Sequence, residues 1–115
     1  MPADRDTSSS SEAALPDYFE LVYQFVRSIP RGKVVTYGQA ADLITGAVLT
    51  ARQVGSAMRW APSDVPWQRV VGTGGHLPIG KRDPEMKMLQ MALLKEEGVR
   101  FVGRSFDTVN MEFCL

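Results

Sequence analysis

Residues 36–44 read TYGQAADLI and residues 50–60 read TARQVGSAMRW, and each stretch begins with a threonine. Threonine is a preferred N-cap residue, so these stretches predict one helix from Thr36 to about Ile44 and a second from about Thr50 to Trp60. The few residues between the two helices include a glycine. Two short helices joined in this way are typical of a helix-turn-helix, in which the second helix meets DNA.

The chain on the N-terminal side of this unit predicts one further helix. Apolar residues recur at helical spacing from Phe19 to Ile29, so this helix should face the core. Pro30 and Gly32 are expected to end it. Residues 33–35 follow as a short extended stretch.

The chain on the C-terminal side of the unit changes character. Residues 61–64 are expected to form a loop, and residues 67–71 are a run of residues that favours β-structure. Glycines at 72–75 indicate a turn that leads into residues 76–79. These segments together predict a small hairpin or a strand that ends in a turn.

The last helix is predicted to begin at Asp83-Pro84, a pair typical of an N-cap and a first helical position, and to stop at Gly98. Its predicted apolar stripe consists of Met86, Leu89, Leu93 and Leu94. Residues 99–102 and 106–113 are apolar enough to pack as short strands or as an extended closing tail. The fold class expected from these elements is mainly α with a small β element, in a single domain.

Composition limits the size and class of the protein. With 115 residues, of which 44% are hydrophobic, the chain suits one small domain with a single core. Residues 1–15 are rich in serine and predict a disordered tail, which leaves residues 16–115 as the domain. The apolar runs are far shorter than the roughly 18 residues of a membrane span. There is also no basic-then-apolar signal at the N-terminus, so we expect a soluble intracellular protein with no membrane partner.

Cysteine and histidine are too scarce for a metal cluster. The chain has one cysteine, Cys114, and one histidine, His76, which excludes an internal disulfide and any Cys-rich or His-rich metal site. We therefore expect no metal. His76 is expected in a loop, and Cys114 is expected as a packed or frayed thiol near the C-terminus.

The formal net charge is zero, but the charges are unevenly distributed. Residues 27–82 hold eight basic and two acidic side chains, for a net charge of +6, whereas the first 26 residues carry −4 and the last 33 carry −2. A basic centre between acidic ends is compatible with a surface that faces phosphates. Charge asymmetry of this size is also common on solvated surfaces, so the pattern alone is a weak indication.

Four sequence blocks occur in one order along the chain: RGKVVTYG at 31–38, ARQVGSAM at 51–58, PWQRV at 66–70 and LLKEEG at 93–98. In that order they resemble the O6-alkylguanine-DNA alkyltransferases. Members of that family carry Arg-Gly-x-Val-x-Thr-Tyr-Gly, Ala-Arg-x-Val-Gly-x-Ala-Met, Pro-Cys-His-Arg-Val and Leu-Leu-x-x-Glu-Gly. The resemblance covers about residues 18–104. It implies a fold like the C-terminal domain of those enzymes, with the helix-turn-helix as its DNA-binding unit.

The third block departs from the family pattern at the two reactive positions. Trp67 stands where the family has the Cys that accepts the alkyl group, and Gln68 stands where it has the His that activates this Cys. An indole offers no thiolate, and an amide cannot take up a proton near neutral pH. In active members the position of Glu97 orients the His, so here it could only fix the amide of Gln68, and a bracing Asn is replaced by Ala61. The chain thus resembles the non-reactive, alkyltransferase-like members, and we expect no catalytic residue.

The resemblance also implies a set of DNA-binding residues. The position of Tyr37 presses on the phosphate 3′ to the target nucleotide, and that of Arg52 enters the vacated stack through the minor groove. Small residues let the second helix approach the narrow minor groove closely. Without the order of the four blocks, Tyr37 would be interpreted as a half-buried core aromatic and Arg52 as a solvated surface charge. The predicted DNA-binding residues are Tyr37, Ala51, Arg52, Gln53 and Gly55.

A lesion pocket is implied beside this DNA-binding helix. Trp67 and Val65 are expected to form its walls. Arg82 belongs to a Lys-Arg-Asp segment shared with the non-reactive relatives, and it is expected to stack on or hydrogen-bond to the modified guanine. Arg69 is expected to have a more structural role. The predicted pocket residues are Val65, Pro66, Trp67, Arg69 and Arg82.

The function expected from the resemblance is binding of O6-alkylguanine in double-stranded DNA by nucleotide flipping, without alkyl transfer and without a cofactor. The lesion would then be marked for nucleotide excision repair, whose proteins are the expected partners of a monomer in the nucleus of a eukaryote or the cytoplasm of a bacterium. One alternative is a residual methyltransferase with Cys114 as a displaced nucleophile, which has no base near it in sequence. Another is a helix-turn-helix transcription factor, for which the chain shows no dimerisation helix or effector domain.

Overall fold

The computed structural model describes residues 16–103 and 106–115, so the predicted tail at 1–15 lies outside the described residues. The described residues contain four α-helices and four strands of two residues each. The helices and strands are α1 (Tyr18–Arg27), β1 (Val35–Thr36), α2 (Tyr37–Leu43), α3 (Ala51–Arg59), β2 (Val70–Val71), α4 (Pro84–Glu96), β3 (Phe101–Val102) and β4 (Thr108–Val109). Single 3-10 turns form at 67–69, 73–75, 78–81 and 111–113. The prediction of a mainly α domain with a small β element is confirmed.

The predicted helix-turn-helix is present as α2 and α3. Each helix begins with a capping box: the hydroxyl of Thr36 accepts from the backbone N–H of Gln39, and that of Thr50 accepts from the backbone N–H of Gln53. The side-chain oxygens of the two glutamines accept in return from the backbone N–H groups of the two threonines. Because each box satisfies two N–H groups that a helix start leaves free, local sequence fixes where both helices begin.

A two-stranded parallel sheet separates two hydrophobic cores. Val35 pairs with Val70, and Thr36 pairs with Val71. Consecutive strand residues face opposite sides, so Val35 and Val70 join the core under α1, α2 and α3, while Val34 and Val71 join a second core under α4 and the C-terminal strands. Parallel strands need a long crossover, and here α2 and α3 supply it. The expectation of a single core is thus replaced by two cores around one sheet.

Helix α1 supports the helix-turn-helix from behind. Its residues Phe19, Val22, Tyr23 and Val26 are buried, as helical spacing requires. The Tyr23 hydroxyl donates to the carbonyl oxygen of Ala57 in α3 at 2.9 Å. A buried hydrogen bond of this kind stabilises the fold by about 1 kcal/mol and fixes α3 relative to α1.

Of the two alternatives predicted for residues 67–79, the strand that ends in a turn is confirmed in shortened form and the hairpin is wrong. Residues 67–69 form a 3-10 turn, and only residues 70–71 form a strand. This strand pairs with β1 and not with a segment that follows it in the sequence. Residues 78–81 form another 3-10 turn, which begins at Pro78, a residue without the N–H that a central ladder needs. Gly75 has a φ of +90°, and a Cβ there would collide with the carbonyl oxygen of Val109. The loop therefore returns as a turn packed on β4, and no hairpin forms.

Helix α4 begins where predicted, since the Asp83 carboxylate accepts from the backbone N–H of Met86 at 3.1 Å. The predicted apolar stripe is partly wrong: Leu94 is buried, but Leu89 is 46% exposed and the polar Gln90 is buried instead. The predicted C-terminal strands exist as the antiparallel pair β3 and β4. Phe106 lies between them and is 69% exposed, so it does not pack in the core.

Within residues 16–103 and 106–115, no helix is both long and apolar enough to cross a membrane. Over the same residues, no cluster of three or more His, Cys, Asp or Glu side chains is placed to hold a metal ion.

Candidate nucleic-acid interface

A cleft of about 750 Å³ opens between the helix-turn-helix and the N-terminal end of α4. Its lining comes from three parts of the chain: α3, the segment 78–83 and Trp67. Three arginines and one aspartate line it, so its charge is positive. The lining residues are Tyr37, Ala51, Arg52, Gly55, Ser56, Met58, Arg59, Ala61, Trp67, Pro78, Ile79, Arg82, Asp83, Met86 and Gln90.

The part of α3 that lines the cleft carries small residues and one exposed arginine, Arg52. Ala51 and Arg52 are exposed in the first turn of the helix. A Cβ built on Gly55 would meet no atom within 4 Å, so nothing inside the protein requires a glycine there. Among the described residues, no carboxylate lies within ion-pair distance of Arg52. This face can therefore approach a backbone closely and present an unpaired guanidinium.

Tyr37 is the first residue of α2 and lines the cleft next to the helix cap. Its ring packs against the first core, which leaves it half-buried. Burial raises the pKa of Tyr37, and the positive charge of Arg82 partly opposes this shift. The hydroxyl is consequently neutral at physiological pH and available as a hydrogen-bond donor.

Trp67 and Gln68 occupy the 67–69 turn, which immediately precedes β2. The Trp67 side chain is half-buried in the cleft and carries no nucleophile. The Gln68 amide donates to the Glu97 carboxylate at 2.8 Å. This contact confirms the expectation that Glu97 fixes an amide. The Gln68 amide cannot take a proton from a thiol as an imidazole would.

Arg69 does not line the cleft and instead forms a buried ion pair. Its guanidinium contacts Glu97 at 3.0 Å, with side-chain exposures of 15% for Arg69 and 4% for Glu97, and it also donates to the Ile29 carbonyl oxygen at 2.8 Å. The backbone N–H of Gly32 donates to the same carboxylate at 3.0 Å. Burial alone would raise the pKa of Glu97, but the hydrogen bonds from Arg69, Gly32 and Gln68 outweigh it and lower the pKa.

Cys114 lies outside the cleft. It packs against the second core, and its thiol donates to the side-chain oxygen of Gln39 at 3.0 Å. His76 is exposed in a loop, as expected. Neither residue is among those that line the cleft.

The structure brings together six of the ten predicted site residues in the cleft: Tyr37, Ala51, Arg52, Gly55, Trp67 and Arg82. The prediction that Val65 forms a pocket wall is wrong, because its side chain is 1% exposed in the first core. Gln53 caps α3, Pro66 precedes the 67–69 turn, and Arg69 pairs with Glu97, so these three lie outside the lining.

Sequence reasoning missed the contribution of α4 to the cleft. Met86 and Gln90 reach the cleft from consecutive turns of that helix, and Pro78 and Ile79 form the wall beside them. One signal was available: Gln90 is a polar residue within the apolar run from Met88 to Met91. A polar side chain at such a position needs a partner when it is buried, which marks it for closer inspection.

Comparison with known sequences identifies relatives over most of the described chain. Residues 17–99 match the DNA-binding domain of 6-O-methylguanine DNA methyltransferase. Alkyltransferase-like protein 1 of Schizosaccharomyces pombe is 41% identical over 94 residues, which are 79% of this chain and 84% of that protein. The DNA base-flipping protein of Escherichia coli is 40% identical over 84 residues, or 71% of this chain, but the match spans only 62% of that longer relative.

Solved structures give the same result. The crystal structure of S. pombe Atl1 in complex with damaged DNA containing O6-carboxymethylguanine superimposes with a TM-score of 0.72 at 35% identity, covering 89% of this chain and 97% of that chain. The complex of Mycobacterium tuberculosis OGT with DNA gives a TM-score of 0.58 at 30% identity, over 81% of this chain and 55% of that chain. The chain therefore belongs to the 6-O-methylguanine DNA methyltransferase family through its DNA-binding domain, and within that family it groups with the alkyltransferase-like and base-flipping proteins.

Proposed function

We propose that this protein binds O6-alkylguanine in duplex DNA by flipping the damaged nucleotide into the cleft, and that it holds the base without transferring the alkyl group. The observation that carries this proposal is the cleft itself, where Arg52, Tyr37 and Trp67 line one positively charged space. Flipping costs a few kcal/mol, and less for a base that already pairs poorly, so the damaged duplex contributes to the selectivity.

Each wall of the cleft has a role in this proposal. Arg52 enters the stack from the minor groove and pairs with the base that the flipped nucleotide leaves behind. Ala51 and Gly55 permit the close approach of α3 that the minor groove demands. Tyr37 presses on the phosphate next to the target, and Arg82 stacks on or donates to the modified base.

The side chains at the two reactive positions of the family pattern do not support alkyl transfer. Trp67 carries no thiol that could accept an alkyl group. Gln68 donates a hydrogen bond to Glu97, and its amide cannot act as an acid or a base. Cys114, the only cysteine of the chain, lies outside the cleft lining and donates to Gln39. The protein consequently acts as a lesion-recognition protein, with no enzymatic step.

We further propose that the bound complex is passed to nucleotide excision repair. This proposal is supported by the absence of alkyl transfer. Because the bound protein leaves the damaged base in the DNA, another repair system must remove it. In a reconstituted excision reaction on a duplex with one O6-methylguanine, the protein should increase dual incision, and its Arg52→Ala variant should not. An unchanged incision rate at saturating protein would contradict the handover while leaving the binding proposal intact.

One experiment tests the proposed function directly. The protein is titrated at one fixed salt concentration against a duplex that contains guanine or O6-methylguanine at a single position, because salt alone moves affinities by orders of magnitude. The mass of the protein is measured afterwards. We expect tighter binding to the O6-methylguanine duplex and an unchanged mass. Equal affinity for both duplexes would contradict lesion recognition, and a mass gain equal to a methyl group would contradict the absence of transfer.

A further inference from the structure

Gln90 is a buried polar side chain among the residues that line the cleft. It is 3% exposed and lines the cleft from the middle of α4. Its amide nitrogen Nε2 donates to the carbonyl oxygen of Gln68 at 3.1 Å and to that of Val70 at 3.0 Å. Because both of these neighbours can only accept, the orientation of the amide is fixed, with Nε2 toward the chain around β2.

The same orientation leaves the oxygen of this amide without a partner. Among the described residues, no donor lies within hydrogen-bond distance of Gln90 Oε1. A buried acceptor that stays unpaired costs free energy, and native proteins rarely keep one without a reason. Since the side chain lines the cleft, a molecule that fills the cleft can supply the missing donor.

We propose that Gln90 Oε1 accepts a hydrogen bond from the exocyclic 2-amino group of the flipped base, and that Gln90 thereby selects guanine-derived bases. This inference rests on the proposed function. Alkylation of O6 removes the proton from N1 of guanine, so the 2-amino group is the donor that remains on the pairing edge. Adenine has no 2-amino group, and the minor-groove edge of an adenine-thymine pair offers acceptors only.

Among the side chains that line the cleft, Gln90 combines deep burial with an acceptor that has no partner within the described residues. Arg52, Arg59 and Arg82 carry guanidinium groups, which only donate. One oxygen of the Asp83 carboxylate accepts from the Met86 backbone N–H at 3.1 Å as the N-cap of α4. Its second oxygen and the hydroxyl of Ser56 can also accept, but Asp83 is only half-buried and Ser56 is exposed, so water can satisfy both without a ligand. Arg82 and Gln90 therefore present one donor and one acceptor, which match the O6 or N1 acceptor and the 2-amino donor of an O6-alkylguanine.

The test compares duplexes that differ in one exocyclic group. One contains O6-methylguanine and the other contains 6-methoxypurine, which is the same base without the 2-amino group. For the wild-type protein, removal of the amino group should weaken binding about tenfold, because Gln90 Oε1 is then buried without a partner. Because 6-methoxypurine pairs more weakly, it costs less free energy to flip, and this alone would strengthen binding. A loss of affinity must therefore come from the missing contact to the 2-amino group.

Two variants connect the effect to Gln90. Gln90→Lys keeps donors for the carbonyl oxygens of Gln68 and Val70 but has no acceptor, so it should bind both duplexes with nearly equal affinity. Gln90→Met has a similar shape without polar atoms and should give the same result if the lysine variant does not fold. Gln24→Lys adds the same charge at an exposed position of α1 outside the cleft and should keep the wild-type ratio.

The outcomes separate this inference from the proposed function. If the wild-type protein prefers O6-methylguanine over guanine but binds the two methoxy bases equally, only the role of Gln90 is wrong. The role is also wrong if Gln90→Lys and Gln90→Met retain the full difference, since the acceptor must then be another group. If the wild-type protein does not distinguish O6-methylguanine from guanine, the proposed function itself fails.

Discussion

At the scale of single residues, Arg52 should determine the preference for damaged DNA. It is exposed in the cleft and has no ionic partner among the described residues, so its guanidinium is free to enter the stack. Arg52→Ala should weaken binding to an O6-methylguanine duplex by about 1–3 kcal/mol and reduce the preference over undamaged DNA.

The matched control for this prediction is Arg100→Ala. Arg100 is 71% exposed and is not among the residues that line the cleft, so its loss removes one positive charge without changing the site. Dissociation constants for both duplexes at one salt concentration provide the measurement. Equal losses on damaged and undamaged duplex for Arg52→Ala would reduce Arg52 to a phosphate contact.

The pair Trp67 and Gln68 leads to a prediction about reactivity. Trp67→Cys restores the thiol of the family pattern but leaves Gln68 bonded to Glu97, so no base is present to generate the thiolate. We expect almost no methyl transfer from O6-methylguanine DNA, as measured by intact-protein mass. The comparison variant is Trp67→Cys combined with Gln68→His, which supplies an imidazole next to Glu97. Rapid transfer by the single variant would show that the Gln68 argument is wrong.

The order of the four sequence blocks predicted much of the site. Arg52 and Tyr37 could be assigned from that order, and capping boxes position the helices on which they lie. Val65 and Gln90 could not, since the choice between core and cleft for each depends on which distant segments pack beside it. Val65 is enclosed by the first core, while Gln90 reaches across to the backbone of residues 68 and 70. The two contacts of Gln90 span 22 and 20 positions of the sequence.

At the scale of elements, α3 carries a glycine that its own fold does not need. Gly55 lies inside the helix, and a Cβ there would meet no atom within 4 Å. Gly55→Ala should therefore raise the free energy of unfolding by about 0.5–1 kcal/mol, because alanine loses less conformational freedom in a helix. If α3 approaches the DNA backbone closely, the added methyl group should weaken duplex binding by about 1–3 kcal/mol.

Gly38→Ala is the control for the effect on stability. Gly38 also lies in a helix, and a Cβ built on it would meet no atom within 4 Å. Unlike Gly55, Gly38 does not line the cleft. Thermal unfolding and DNA titration of both variants separate the two effects. A Gly55→Ala protein that is more stable and binds DNA as well as the wild-type protein would contradict the close approach of α3.

Elements with local signals were predictable, and elements made by distant pairing were not. Helices α2, α3 and α4 begin at side-chain caps that the sequence displays. Strand β2 pairs with β1 across an intervening helix-turn-helix, and no short-range pattern specifies that partner. The run at 67–71 therefore left a hairpin with the next segment as one alternative, although the real partner of β2 lies more than 30 positions earlier.

At the scale of the whole molecule, the buried Glu97 connects segments that are far apart in sequence. It receives hydrogen bonds from Arg69 and Gln68 before β2, and from Gly32 after α1, while it forms the C-terminal cap of α4. Arg69 extends the connection to the carbonyl oxygen of Ile29. The Glu97 carboxylate thus links the end of α4 to the segment after α1 and to the 67–69 turn, which carries Trp67.

This connection predicts how stability depends on pH. The pKa of Glu97 is lowered from its ordinary value of 4.5 in the folded protein, so below about that pH the unfolded chain binds more protons than the folded one. The contribution of Glu97 is complete at neutral pH and is lost as the pH falls through the folded pKa. Glu97→Gln should lose about 3 kcal/mol at pH 7, because Arg69 is then buried without its counter-charge.

The measurement is chemical denaturation of both proteins at several pH values between 7 and 3. The difference between wild type and Glu97→Gln should shrink as the pH decreases, since protonation removes the charge of Glu97 in the wild-type protein as well. Glu112→Gln is the control: its side chain is 75% exposed and lies 3.9 Å from Arg100, so the substitution should change stability little at any pH. A stability difference for Glu97→Gln that is constant across this range would show that the carboxylate acts by shape and hydrogen bonding alone. The contacts of Glu97 with Gly32, Gln68 and Arg69 would then not depend on the charge of the carboxylate.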